Sequence, residues 1–198
     1  CEPLYNVAII VPYRQRENHL KMFINNMHRF LSNQSISFTI YVVEHTCPTI
    51  FNRAILHNIG YKEAKAEQKF DCYVFHDVDL IPEKLENYYH CDNSPQHLVV
   101  TRNRTKYIMF STRYFGGGVL FSPEHYELIN GFTNKIFGWG GEDNNAYFRV
   151  LDKNLTIHRY PGSVASYTMF EHGWDTGNPR NDLIVDKREA LHPTRNPE

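Results

Sequence analysis

Asp77 and Asp79 stand one residue apart in the run Cys72-Tyr-Val-Phe-His-Asp-Val-Asp79, directly after the apolar stretch Cys72 to Phe75. Hard divalent cations such as Mg²⁺ or Mn²⁺ prefer carboxylate oxygen, and a cation bridging protein to a diphosphate would neutralise a departing nucleotide. Strand alternation predicts that both side chains point the same way. The competing reading is a pair of solvated loop carboxylates, since loops are rich in Asp.

Two further clusters could carry chemistry. In Gly138-Trp-Gly-Gly-Glu-Asp143 the glycines permit close backbone approach to a ligand, Trp139 can stack on a sugar ring, and Glu142 or Asp143 could take the proton from an attacking hydroxyl. The plainer reading is a helix-starting loop whose acids complement the helix dipole. In Met169-Phe-Glu-His172 the imidazole could complete a metal shell begun by Asp79. By chemistry alone Met169, a soft ligand, ranks as core filler beside a hard cation.

These residues need elements to position them. Asn6 to Tyr13 is a Val/Ile-rich run that reads as a buried strand; Arg16 to Leu31 has helical apolar spacing; Ser37 to Glu44 reads as a strand, Phe51 to Ala66 as a helix and Asp71 to Asp77 as a third strand. This strand-helix alternation predicts an α/β fold with a mixed, mostly parallel sheet and flanking helices. Ligands of such sheets bind beyond the carboxyl ends of the strands, where Arg14-Gln-Arg16 and Asp77-Val-Asp79 fall. Further on, Leu98 to Thr101, Tyr107 to Phe110 and Val119 to Phe121 read as short strands, Glu124 to Ile129 and Glu142 to Leu151 as helices, Ser163 to Thr168 as β-like, and Gly173 onward as an extended, partly mobile tail.

The 198 residues, 41% of them hydrophobic, suit one globular domain spanning 1–198. Twenty-one basic against twenty-two acidic residues, with no basic stripe, exclude the electrostatic footprint of a nucleic-acid binder. No apolar run is long enough to span a bilayer, and the start at Cys1 leads us to expect upstream sequence, including a possible membrane anchor. Cys1, Cys47, Cys72 and Cys91 lack C-x-x-C spacing, so disulfides are favoured over a zinc site. With the sequons at Asn33, Asn103 and Asn154 they fit a lumenal or extracellular protein.

Taken together, Val11-Pro-Tyr-Arg-Gln-Arg-Glu-Asn-His-Leu20, Ile50-Phe-Asn-Arg-Ala54, Val74-Phe-His-Asp-Val-Asp-Leu-Ile-Pro82, Tyr114-Phe-Gly-Gly117, Ile129-Asn-Gly-Phe132, Gly138 to Asp143 and Met169 to His172 resemble the animal β-1,4-galactosyltransferase family in order and spacing, up to about Trp174. The resemblance implies a GT-A-type fold, a Golgi type II membrane parent, UDP-galactose as donor, a glycan acceptor, Mn²⁺ as cofactor and inversion at the anomeric carbon. It also moves Met169 from filler to metal ligand, together with Asp79 and His172.

By the same resemblance Pro12, Arg14 and Arg16 line the uridine diphosphate site, Phe51 and Arg53 flank the uridine, and Asp77 and Val78 serve the nucleotide. Tyr114 limits the room beside the donor's C2 substituent, with Gly117 close by. Trp139, Gly140 and Gly141 hold donor and acceptor sugars, Asp143 is the general base, and Glu142 and Asn144 help bind the acceptor. Cys72 and Cys91 match a family disulfide, Cys1 matches half of another, and Cys47 is left free. Two departures concern the acceptor: Asn144 replaces a usual Asp, and the tail's Arg-aromatic-Asp segment becomes Arg180-Asn181-Asp182 after a deletion. The Met-x-x-His pattern differs from the His-x-His of the branch that acts on xylose. Transfer of N-acetylgalactosamine, and a catalytically silent UDP- or sugar-binding module, are the alternative readings.

Overall fold

The computed structural model describes residues 2–109, 111–173 and 175–181. Cys1, with its expected half of a disulfide, Phe110, Trp174 and the tail from Asp182 lie outside the described residues.

The chain opens with β1 (Tyr5–Tyr13), α1 (Glu17–Leu31), β2 (Ile36–Glu44), α2 (Arg53–Glu67) and β3 (Cys72–His76). β1 is buried on both faces, which is why its sequence runs apolar without alternating. Val7, Ile9 and Val11 pack with Phe23, Met27, Phe30 and Leu31 of α1. Ala8 and Ile10 face the other way, onto Ala54, Tyr61 and Ala64 of α2. A β-carbon at Gly60 would meet the side chains of Ile10 and Val43, so the glycine lets α2 lie close on the sheet. Asn52 caps α2, its side chain accepting from Ile55 N at 2.9 Å.

The remaining elements are β4 (Leu80–Pro82), β5 (Gln96–His97), β6 (Thr101–Arg102), β7 (Gly118–Phe121), α3 (Pro123–Leu128), α4 (Glu142–Asp152) and β8 (Ser166–Met169). The main sheet has the order β2-β1-β3-β7-β5. Its β2-β1-β3 half is parallel, while β7 joins β3 and β5 antiparallel. A smaller sheet, β4-β8-β6, lies alongside. The α/β class and mixed sheet expected from the sequence are therefore present.

Three local expectations are corrected. Leu98–Val100 do not form a strand: they bridge β5 of the main sheet and β6 of the small one, and they read as strand because all three are buried. The run after Lys106 turns instead of extending, with positive φ at Lys106 and Tyr107 and with Tyr107 N and Ile108 N bonded back to Arg102 O and Thr105 O. Residues 175–181 fold back as a turn tied to the body, through Phe51 N to Gly177 O at 3.2 Å and Trp139 N to Pro179 O at 2.8 Å. Composition missed this because Gly, Pro and Asn mark an ordered turn as readily as a loose tail. Cys72 and Cys91 are bonded, with Cα atoms 5.5 Å apart, and Cys47 is free and exposed.

Candidate active site

Parallel β1 and β3 end side by side, so Arg14, Arg16 and Asp77 converge at one edge of the sheet. β3 ends at His76, and Asp77 N still bonds to Gly117 O at 2.8 Å, directly before the antiparallel neighbour β7. Val78 and Asp79 then form a turn into β4. Alternation no longer applies there, and the two carboxylates reach different partners instead of sharing a direction. Val78 itself is in the core.

Asp77 faces Arg53, whose Nη1 lies 2.6 Å and 2.8 Å from its two oxygens. The same guanidinium pairs through Nη2 with Asp143 and has its Nε 3.1 Å from Glu142 Oε1. Arg53, at the start of α2, thereby gathers three carboxylates from two other segments. Glu142 and Asp143 arrive together because Gly138, Gly140 and Gly141 adopt positive φ, which lets the chain turn sharply into α4. A β-carbon at Gly116 would strike the Asp143 carboxylate, so only glycine leaves room for that contact.

One buried and two half-buried carboxylates around one cation raise the proton affinity of the group. Burial first, and then Glu142 and Asp77, outweigh the pull of Arg53 and push Asp143 up to about 8. Burial likewise pushes Asp77 up to about 6. An unfolded Asp titrates near ~3.9, so between about pH 4 and pH 8 the folded protein holds a proton that the unfolded chain has lost. Stability should consequently fall as pH rises through that window. Thermal midpoints measured by calorimetry at pH 5, 6.5 and 8 are expected to decline in order, and the decline should shrink in Asp143→Asn.

Asp79, almost fully buried, meets His172, with Oδ2 3.3 Å from Nε2. His172 Nδ1 lies 3.0 Å from Gly173 O, so it carries the proton and turns the Nε2 lone pair toward the carboxylate. Two acceptors facing each other call for a cation or a proton between them, and Asp79 accordingly raises the His172 pKa. Met169 ends β8, where it stands in register with Leu80, the residue after Asp79, and Phe170 N bonds to Asp79 O at 2.8 Å. Among the described residues no group of three or more His, Cys, Asp or Glu could hold a metal; the set here is one carboxylate, one imidazole and one thioether.

Phe51 and Arg53, neighbours in sequence, point to different corners. The Arg14 guanidinium lies 4.8 Å from the centre of the Phe51 ring and pairs with Asp175 at 2.8 Å. Pro12 is buried at the end of β1, and Arg16 is the cap residue of α1, close enough to His172 and Asp175 to act on both electrostatically. Trp139 is 57% exposed at the mouth and is bridged to Arg180. Nothing lies within 4 Å of a β-carbon placed at Gly140, and Asn144 is exposed on α4. The sequence reading missed Asp175, which reaches Arg14 across 161 positions, and also His97, Arg102 and Arg159 around Tyr114. No local pattern marks such contacts.

A model described as the N-terminal region of glycosyl transferase group 7 matches residues 1–92, and one described as the N-terminal domain of galactosyltransferase matches 96–173. The fold is that of a GT-A-type glycosyltransferase. The chain is 43% identical over 97% of its length to β-1,4-galactosyltransferase 4 of Cricetulus griseus, covering 55% of that protein. It is 42% identical over 93% of its length to human β-1,4-galactosyltransferase 3, covering 48% of it. The chain belongs to the β-1,4-galactosyltransferase family.

Among solved structures, a variant of Drosophila β-1,4-galactosyltransferase 7 in complex with manganese, UDP-Gal and xylobiose superposes with a TM-score of 0.78 at 26% identity, covering 93% of this chain and 81% of that one. The catalytic domain of the same enzyme with xylobiose gives 0.72 at 30% identity, covering 79% and 65%. The chain spans about half the length of the curated relatives it matches. No helix of the described residues is long and apolar enough to cross a membrane.

Proposed function

We propose that residues 1–198 form the catalytic domain of an inverting, Mn²⁺-dependent transferase that moves galactose from UDP-galactose to the 4-hydroxyl of a terminal N-acetylglucosamine or related sugar on a glycoconjugate. The observation that carries the reading is the convergence of Asp77, Glu142 and Asp143 on Arg53, beside the facing pair Asp79 and His172. Membership of a family whose curated members are galactosyltransferases supports it, as does the complex of a relative with manganese and UDP-Gal.

In this reading Asp143 takes the proton of the acceptor hydroxyl as its oxygen bonds to the anomeric carbon, while the bond to the UDP oxygen breaks on the opposite face. Arg14 and Arg16 bind the diphosphate, Arg14 exchanging its Asp175 partner for phosphate oxygen in a charge-assisted pair of the same kind. Asp79, Met169 and His172 would hold Mn²⁺, which supplies charge neutralisation for the departing diphosphate. Asp77 and Val78 serve the nucleotide, with Phe51 packed against the uridine. Arg53 orients Asp77 and Asp143. Trp139 offers its exposed face to the sugars, with Gly140, Gly141, Glu142, Asn144 and Arg180 around the acceptor. Tyr114, beside Gly117, restricts the space next to the donor's C2 substituent, which favours galactose over N-acetylgalactosamine. A Golgi lumenal setting with an upstream membrane anchor completes the reading.

The test is an acceptor panel with UDP-galactose and Mn²⁺, monitored by UDP release and product mass. Transfer to N-acetylglucosamine-terminated acceptors that stops on chelation is the expected result. Preference for UDP-N-acetylgalactosamine in direct competition, or UDP binding without transfer to any acceptor, would replace this reading.

A further inference from the structure

Tyr114 stands where the acid cluster meets the small sheet. The charges of Asp143, Asp77 and Arg53 act on its phenol, so it borders the pocket they line. The phenol oxygen accepts a hydrogen bond from Arg102 Nη1 at 3.1 Å, and the Arg102 guanidinium lies 5.3 Å from the ring centre. Arg102 is itself fixed at the end of β6, in register with Tyr167 of β8. On the other side, a β-carbon at Gly117 would come within 3.2 Å of the same phenol oxygen. Gly117 has φ +79°, a conformation that favours glycine.

The main chain of this loop is held by different residues. Arg159 Nη2 donates to the carbonyls of Thr112 and Tyr114 at 3.2 Å and 3.1 Å. Arg159 Nε donates to His97 Nδ1 at 3.1 Å, and His97 Nε2 donates to Gly116 O at 3.0 Å. Burial and the neighbouring Arg159 push His97 down to about 3, so its ring is neutral and the two nitrogens keep these separate roles. The backbone is therefore braced by His97 and Arg159; the His97 ring also meets the Tyr114 ring edge-on, 5.3 Å between centres, and Arg102 holds the ring tip.

We propose that Arg102 is a positioning residue for donor choice: it pins the Tyr114 phenol toward Gly117 and thereby sets the space beside the C2 substituent of the donor sugar. This rests on the role given to Tyr114 above. With Arg102 gone, the braced backbone keeps the loop in place and His97 still meets the ring, but the phenol loses its hydrogen bond and the cation beside the ring, so the ring tip is held less tightly and can shift to admit a larger substituent. A hydrogen bond combined with a cation over an aromatic face is enough to bias one ring position several-fold.

The measurement is the ratio of kcat/KM for UDP-N-acetylgalactosamine to that for UDP-galactose, with Mn²⁺ and N-acetylglucosamine as acceptor. Arg102→Met should raise it about threefold to tenfold, and Arg102→Lys, which keeps a cation over the ring, should raise it less. Calorimetric binding of UDP-N-acetylgalactosamine should tighten in the same order. Tyr114→Leu is measured alongside. If Tyr114→Leu raises the ratio and Arg102→Met does not, the donor reading stands and the role of Arg102 is overturned. If Tyr114→Leu leaves the ratio unmoved, both fall. A lower melting temperature with equal losses on both donors would make Arg102 a structural residue only, against the proposal.

Discussion

Asp143→Asn should lower kcat for galactosyl transfer by about 10²- to 10⁴-fold, the range attributed to a positioned general base. The substitution preserves shape, and Arg53 keeps Asp77 and Glu142 as partners, so the fold and UDP affinity should change little. The loss should fall on kcat and kcat/KM together, as expected when an interaction made only in the transition state is removed. Near-normal transfer by the variant, with UDP binding intact, would sink the assignment of Asp143 as base. Glu142→Gln gives the comparison: Glu142 is more deeply buried than Asp143 and is read as an acceptor-binding group, so its loss should raise the acceptor KM before it lowers kcat.

The second large effect is on the metal. Asp79→Ala removes the carboxylate that faces His172 Nε2 and leaves an imidazole and a thioether, a set poorly suited to a hard cation. Mn²⁺ affinity should drop by more than about 100-fold, beyond the cost of losing an outer-shell partner. Titration calorimetry of Mn²⁺ in the presence of UDP reads this directly, and the Mn²⁺ concentration for half-maximal transfer should rise in parallel. His172→Ala should act in the same direction, and Met169→Leu less, because a thioether contributes little to binding a hard ion. Unaltered metal affinity in Asp79→Ala would remove it from the ligand set.

Both predictions rest on residues that the sequence singled out, and the ease of reading them has a physical cause. A buried parallel strand writes itself as a continuous apolar run, so β1 and β3 were visible, and with them the strand ends where ligands bind. A glycine-rich turn before an acidic helix start is equally local, which made Glu142 and Asp143 conspicuous. The motif order then pointed to the family, and the two matching models agree with it.

What local pattern could not settle is which side chain meets which. Asp77 and Asp79 look equivalent in sequence, yet the turn at Val78 sends one to Arg53 and the other to His172. Residues 175–181 read as tail by composition and are tied down by bonds to Phe51, Trp139 and Arg14. Leu98–Val100 read as strand because they are buried, but they pass between two sheets.

The sequence by itself thus determined the first five elements, from β1 to β3, the strand-end placement of the acids and the family, because periodicity and burial are properties of neighbouring residues. The tertiary structure alone decided which side chains meet: Arg53 joined to Asp143 across 90 positions, Arg14 to Asp175 across 161, and Arg102 of β6 to Tyr114 in the loop before β7. Such pairings depend on where loops cross in space, and an ion pair between distant segments leaves no periodic trace along the chain.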